Sequence, residues 1–375
     1  MTPFNLPSFV GNELDYITKA IALGQLSGDG QFTKLCSQSI VAQTGAQDAL
    51  LTHSCTAALE MAAILSDIQP GDEVIMPSFT FVSTANAVAL RGGVPVFVDI
   101  DPVSLNLCPE QTQLAITSKT RAIFAVHYAS VIAEMDVLAE ISTDHGLLLV
   151  EDAAQAFGAS FKGRKAGSFG DLAAFSFHET KNIVSGEGGA LVINRPDLVE
   201  RAEIIREKGT NRSRFMRGSV DKYTWVDIGS SFLPGELIAA FLYGQLEKAR
   251  QITDRRRVIC DRYAAGLASL AERGRVRLPA PMPDRTGNGH MFYLLMRDRA
   301  DRDTFITAMR EREMTTPFHY VPLHSAPAGL KFGRAVGPMT VTDAISASLV
   351  RLPLYYTMTD AQQDNVIAEI LQILA

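Results

Sequence analysis

Between residues 50 and 195, short apolar runs alternate with longer amphipathic stretches. Glu73–Met76 ends at Pro77, Val94–Val98 ends at Asp99, and Ala122–Val126 ends at His127. Leu147–Val150, Leu172–Phe177 and Ala190–Ile193 follow, and helical patterns over Thr56–Leu65, Ser83–Leu90 and Met135–His145 lie between several of these runs. Continuous apolar strands separated by helices predict an α/β fold, a mostly parallel sheet covered on both faces. Ligands of such sheets sit outside the carboxyl ends of the strands.

The pattern changes further along. Residues 235–268 predict one long helix or two, with Leu237, Ala240, Phe241, Gly244 and Leu246 on an apolar stripe. A loop follows from Gly274 to Asn288, then a strand over Met291–Met296 and a helix over Asp303–Arg312. Two closing helices are predicted over Thr342–Leu349 and Asp360–Leu374. A chain of 375 residues suits two domains better than one core. The expected division is a large domain over 1–245 with an N-terminal arm, and a small α+β domain over 246–375.

Composition narrows the class. Hydrophobic residues make up 47% and charged residues 20%, an ordinary globular balance. The formal net charge of −6 argues against general nucleic-acid binding, which needs a basic face. Cys36, Cys55, Cys108 and Cys260 are scattered without metal-ligand spacing, so reduced thiols and no metal site are expected. The N-terminus lacks the basic and apolar regions of a signal peptide, and no run approaches the ~20 apolar residues that span a bilayer. A soluble, cytoplasmic protein is the expectation.

The chemistry gathers at two strand ends. One apolar run ends in Glu151-Asp152-Ala153-Ala154-Gln155; another ends in Ser176-Phe177-His178-Glu179-Thr180-Lys181-Asn182 and is followed by Gly186-Glu187-Gly188-Gly189. Alone, Asp152 reads equally well as a helix N-cap, and Lys181 as a surface lysine. Together they put a carboxylate and an amine at one edge of a sheet. Enzymes using pyridoxal 5′-phosphate need that pair: a lysine to hold the aldehyde as a Schiff base and an acid to keep the pyridine nitrogen protonated. Gln155 would lie on the first helical turn after Asp152, within reach of a cofactor oxygen. Thr52-His53-Ser54-Cys55-Thr56-Ala57 opens a helix and offers either a plain N-cap or an anion site. Phe79 and Phe81, just past a strand end, are candidates to stack on a flat ring or to sit in a core. Arg206 to Arg217 is a basic stretch in an acidic protein. It suits solvent, or a diphosphate bound by guanidinium forks.

These motifs resemble the DegT-type sugar aminotransferases, within the fold-type-I pyridoxal phosphate enzymes. Gly71-Asp72-Glu73-Val74, Thr80-Phe81-Val82-Ser83-Thr84 and Pro95-Val96-Phe97-Val98-Asp99 match as well, as do Tyr320-Val321-Pro322-Leu323-His324 and Leu352-Pro353-Leu354-Tyr355. The resemblance implies that Lys181 binds the cofactor and moves protons, that Asp152 pairs with the pyridine nitrogen, and that Gln155 meets the ring hydroxyl. It puts Phe81 over the ring, Thr56, Ala57 and Ser176 at the phosphate, and His324 toward the sugar. It also implies a homodimer with shared active sites, glutamate as amino donor and a nucleotide-sugar substrate.

Several positions depart from the family pattern. Its Ser-Gly-Thr is Ser54-Cys55-Thr56 here, and its Val-His-Leu-Tyr-Gly is Val126-His127-Tyr128-Ala129-Ser130. Its Gly-Tyr-Asn-Tyr-Arg-Met is Gly229-Ser230-Ser231-Phe232-Leu233-Pro234, so Ser231 stands where an Asn reaches the neighbouring subunit's phosphate. These departures, with Lys208-Gly209-Thr210-Asn211-Arg212 and Tyr223-Thr224-Trp225, resemble the branch of dTDP-4-amino-4,6-dideoxygalactose transaminases, which serve surface glycan synthesis. Within the basic stretch, Lys208, Arg212 and Arg217 are the candidates for the diphosphate. Residue chemistry does not separate C3 from C4 amination, or dTDP from UDP. Relatives with His in place of the lysine are sugar dehydratases, and Lys181 argues against that chemistry. A binding or regulatory protein of the same fold would not require the amine.

Overall fold

The computed structural model describes residues 1–375. Eight strands form one sheet in the order Asp48–Thr52, Gly189–Ile193, Leu172–Ser176, Leu148–Asp152, Thr120–Val126, Glu73–Pro77, Val94–Val98 and Arg334–Ala335. Gly189–Ile193 runs antiparallel to both of its neighbours, and the remaining pairs are parallel. The register sets Val126 beside Asp152 and Asp152 beside Ala174, so three strands finish near one level.

The period-2 alternation of each strand feeds two cores. Ile75, Ile123, Leu149, Ala173 and Val192 face one side with residues of the helices Gln31–Thr44, Met135–His145 and Glu236–Glu247. Val74, Ala122, Val150, Ala174 and Leu191 face the other, with the helix Cys55–Leu65. Burial on both faces is why these runs read as continuously apolar. The strand Asp48–Thr52 escapes the hydrophobic pattern, because Ala49-Leu50-Leu51 is too short a run to assign by periodicity.

The stretch predicted over 235–268 is two helices, Glu236–Glu247 and Ala249–Glu272, parted at Lys248. Beyond the break, a separate core draws only on residues from Ile259 to Leu374. The helix expected from Asp303 begins at Arg299, because Asp298 caps it by accepting from the Asp301 amide at 2.9 Å. Two segments tie the parts together. Arg334–Ala335 joins the large sheet beside Val94–Val98, and Arg334 grips Glu73 through two 2.8 Å hydrogen bonds. Asp99, at the end of Val94–Val98, accepts from the Val341 and Thr342 amides at the start of the helix Thr340–Ser348. The N-terminal arm lies on the C-terminal part: Thr2 pairs with Met314, and the Phe4 carbonyl accepts from the Leu354 amide at 3.0 Å. No helix is long and apolar enough to cross a membrane.

One buried carboxylate braces the strand that carries Asp152. Glu151 is 0% exposed and points to the opposite face from its neighbour. It accepts from the Gly167, Phe169 and Gly170 amides at 2.7–2.8 Å and meets His127 Nε2 at 2.9 Å. Burial alone would raise its pKa, but His127 and the amides outweigh it and hold the carboxyl below its ordinary value of 4.5. The unfolded chain therefore takes up this proton first as pH falls. The contribution to stability is complete above about pH 4.5 and is lost on acidification through the folded value. Glu151→Gln is expected to cost about 3–5 kcal/mol at pH 7 in denaturant unfolding, as for a broken buried pair. The gap to wild type should narrow below pH 4.5; a gap independent of pH would show that the charge is irrelevant.

Candidate active site

Outside the carboxyl ends of the central strands lies a cavity of about 590 Å³. Asp152, Gln155, Ser176, Lys181, Thr56 and Phe81 all line it, so sequence positions far apart meet there. Asp152 is 5% exposed; its Oδ2 accepts from the Thr84 hydroxyl at 2.7 Å and its Oδ1 from the Ala154 amide at 3.2 Å. Thr84 is in turn held by Thr80, hydroxyl to hydroxyl, at 3.0 Å. The carboxylate is thus fixed in direction. No helix follows Asp152, so its bond to Ala154 closes a turn and is no helix cap; the side chain lines the cavity.

Lys181 stands in the turn between the paired strands Leu172–Ser176 and Gly189–Ile193, where Ser176 pairs with Gly189. Hydrogen bonds from Phe177 N to Gly188 O and from Glu179 N to Gly186 O close the turn, and Gly186 holds φ 82°, a conformation glycine favours. Burial lowers the Lys181 pKa, partly offset by Cys55 and Asp152 nearby. The amine is therefore more readily free of its proton than a surface lysine.

The opening of the helix Cys55–Leu65 packs against that turn. A Cβ on Gly189 would come within 2.4–2.6 Å of the Ser54 and Cys55 backbone, so only glycine permits the approach. Ser54 caps the helix by accepting from Ala57 N at 3.1 Å, and the Thr56 and Ser83 hydroxyls meet at 2.7 Å. The amide of Ala57 is engaged by its cap, and Ala57 does not line the cavity. The Cys55 thiol does, and burial with Asp152 nearby raises its pKa, keeping it protonated. Hydroxyls at a helix N-terminus, a directed carboxylate, a desolvated amine and the exposed Phe81 ring form a donor set that fits pyridoxal phosphate.

Gln155 is oriented from both ends of its amide: Oε1 accepts from Ala129 N at 2.7 Å, and Nε2 donates to the Tyr320 hydroxyl at 3.0 Å. Ala129 and Ser130 adopt φ 51° and 67°. At the second of these the family carries glycine. Ser130 accepts the left-handed backbone, and its Oγ takes the Asn288 amide at 3.1 Å. Asn288 donates to the Gln155 and Phe157 carbonyls, while Asn182, next to Lys181, donates to the Asn288 carbonyl at 2.7 Å. The lysine turn, Gln155 and the chain near residue 288 are one network.

Not all expected residues come to the cavity. His324 is held by Ser78 at 2.8 Å and faces Asp343 at 3.5 Å, away from the cavity lining. His319 and Tyr320, a few residues earlier, do line it. Ser231 bridges the Glu207 backbone and does not line the cavity of its own chain. Neither do Lys208, Arg212 and Arg217. Lys208 and Arg212 both lean on Glu207, at 3.5 and 3.4 Å, whereas Arg217 forms two 2.8 Å bonds with Glu203. The residues missed from sequence are Phe4, Thr84, Arg256, His290, His319 and Arg351. Thr84 carried a signal, being one helical turn from Thr80 at a strand end; the others arrive from distant segments with no local pattern.

Residues 7–371 match the model of the DegT/DnrJ/EryC1/StrS aminotransferase family. GDP-perosamine synthase of Caulobacter vibrioides is 32% identical over 98% of this chain and 97% of its own. The spore coat polysaccharide biosynthesis protein SpsC of Bacillus subtilis is 32% identical over 99% of this chain and 97% of its own. The crystal structure of the aminotransferase TlmJ from Streptoalloteichus hindustanus superposes with a TM-score of 0.91 at 29% identity, covering 100% of this chain and 99% of that one. With the lysine, the acid and the hydroxyl-lined helix start assembled in one cavity, the chain belongs to the DegT/DnrJ/EryC1/StrS family and is a sugar aminotransferase whose cofactor is pyridoxal 5′-phosphate.

Proposed function

We propose that this aminotransferase moves an amino group from glutamate to C4 of a nucleotide-linked 4-keto-6-deoxy sugar, dTDP-4-keto-6-deoxyglucose, for surface glycan synthesis in the cytoplasm. The observation that carries the reading is the convergence of Lys181 and Asp152 on one cavity large enough for a sugar. The motifs shared with the dTDP-4-amino-4,6-dideoxygalactose branch support the substrate. A relative named for a GDP-linked amino sugar supports a nucleotide carrier.

When bound, pyridoxal phosphate supplies an electron sink for the carbon that loses its proton. Lys181 would hold the cofactor, and its amine would be the base that takes the proton from the substrate carbon. Its lowered pKa suits that work near neutral pH. Asp152, fixed by Thr84 and Ala154, keeps a proton on the ring nitrogen. Thr56, Ser83 and the first turn of the helix Cys55–Leu65 receive the phosphate. Gln155 would meet the ring hydroxyl, and Phe81, which lines the cavity, would stack on the ring.

We further infer a homodimer whose second subunit completes each site. Phe81, Val82, Tyr223, Trp225 and Val226 are exposed apolar residues of the kind an interface covers. Ser231 and the basic stretch lie outside their own cavity, and a partner's cavity would use them. Arg206, Lys208 and Arg212 share the two carboxylates Asp29 and Glu207, which leaves a surplus positive charge for the diphosphate, while Arg217 is matched by Glu203.

A panel of nucleotide keto-sugars with glutamate, products identified by mass spectrometry and NMR, tests the substrate. Exclusive turnover of UDP-linked or 3-keto sugars would replace the dTDP-4-keto assignment. Borohydride reduction of the holoenzyme followed by peptide mapping should label Lys181, and Lys181→Ala should lose at least about 100-fold in kcat. Asp152→Asn should keep the fold and lose most activity; near-wild-type turnover would remove the acid from the mechanism. Lys208→Ala and Arg212→Ala should each raise the sugar-nucleotide KM about tenfold, the scale of one charge-assisted hydrogen bond. Arg217→Ala should change it less, and glutamate KM should hold in all three. Sedimentation should give a dimer or a multiple of it, and a fully active monomer would rule out shared sites.

A further inference from the structure

Arg351 enters the cavity from the short strand Leu349–Arg351. Of its five N–H donors, one is met by the Phe318 carbonyl, at 3.1 Å from Nη2. Its Nε is buried and has no partner. The Phe4 ring, brought by the N-terminal arm, lies 4.5 Å from the guanidinium. No carboxylate forms an ion pair with it, in contrast to the buried Arg206, Arg285 and Arg302, which meet Asp29, Glu134 and Asp303. Arg256, the other guanidinium at this cavity, donates to the Gly289 and His290 carbonyls. A desolvated guanidinium with most donors idle is costly unless an anion completes it.

We propose that Arg351 seats the carboxylate of the amino donor, an α-amino acid, through its planar fork. This rests on the aminotransferase reading above and names the donor's place within that site. The idle donors, all on one guanidinium, favour one carboxylate over a diphosphate. Burial, with Arg351 and Lys181 nearby, drives the His319 pKa well down, and burial with Lys181 and Arg256 does the same for His290, so both imidazoles are neutral. Arg351 is then the guanidinium on this wall with most donors unfilled, since Arg256 spends its Nε and Nη2 on carbonyls, and one planar fork matches one carboxylate. Phe4 and Tyr320 line the cavity beside it, and the planar fork can take a carboxylate through two parallel bonds.

Succinate, a carboxylate without the amino group, is the probe. Its affinity for the holoenzyme is measured by calorimetry, alongside kcat and KM for glutamate and for the sugar nucleotide. Arg351→Gln should raise both the glutamate KM and the succinate Kd about 10- to 100-fold, the loss of charge-assisted bonds to one carboxylate. The sugar-nucleotide KM should stay within about twofold. Arg351→Lys keeps the charge and loses the fork, so it should fall between; it decides the question where the Gln variant does not fold. Wild-type values in either folded variant, no succinate binding by the wild type, or a loss confined to the sugar-nucleotide KM would each overturn the proposal. If the wild type transfers no amino group from glutamate, the donor assignment fails, while the succinate comparison still decides Arg351 by itself.

Discussion

The site depends on two adjacent carboxylates that strand geometry sends to opposite faces. Glu151 is driven into the core, where three amides and His127 make a charge tolerable without water. Asp152 emerges into the cavity at the same level as Val126 and Ala174. A strand end that slid by one residue would exchange the two, placing Asp152 in the core and Glu151 at the cavity. The buried pair therefore acts as a register lock. Removing it would loosen the register that sets the direction of Asp152.

A second constraint is the joining of remote segments by side-chain amides. Asn182, Asn288 and Gln155 pass hydrogen bonds from the lysine turn to the chain beyond the long helix Ala249–Glu272, and Gln155 carries them on to Tyr320. The C-terminal part thus reaches the cofactor cavity through polar contacts that specify direction, while its own apolar core is separate. Ser130 belongs to this network. It replaces a glycine without relieving the left-handed backbone, and its hydroxyl recovers a bond that glycine could not make.

Much of this was legible in the chain. The apolar strands, their order of appearance and the Asp152–Lys181 pairing follow from hydrophobic period and strand-end chemistry, since both are local. The three-residue apolar run in Asp48–Thr52 and the two-residue strand Arg334–Ala335 were not, because strands that short have no period. His324 illustrates the other limit: its motif is intact, yet Ser78 and Asp343 hold its ring, and His319 and Tyr320 line the cavity. Arg351 carried no sequence signal at all. A lone arginine becomes informative only when its surroundings show that nothing answers its charge.

The antiparallel strand Gly189–Ile193 has a consequence for how the protein is made. It separates Asp48–Thr52 from the rest of the sheet, so the earlier strand has no neighbour until the later one has left the ribosome. Through that interval Ala49, Leu50 and Leu51 present an unpaired apolar edge, the kind of surface that chaperones engage. The glycine that lets the helix start approach the lysine turn lies on this same late strand. Closing the sheet and seating the helix start against the lysine turn therefore both wait on this one strand.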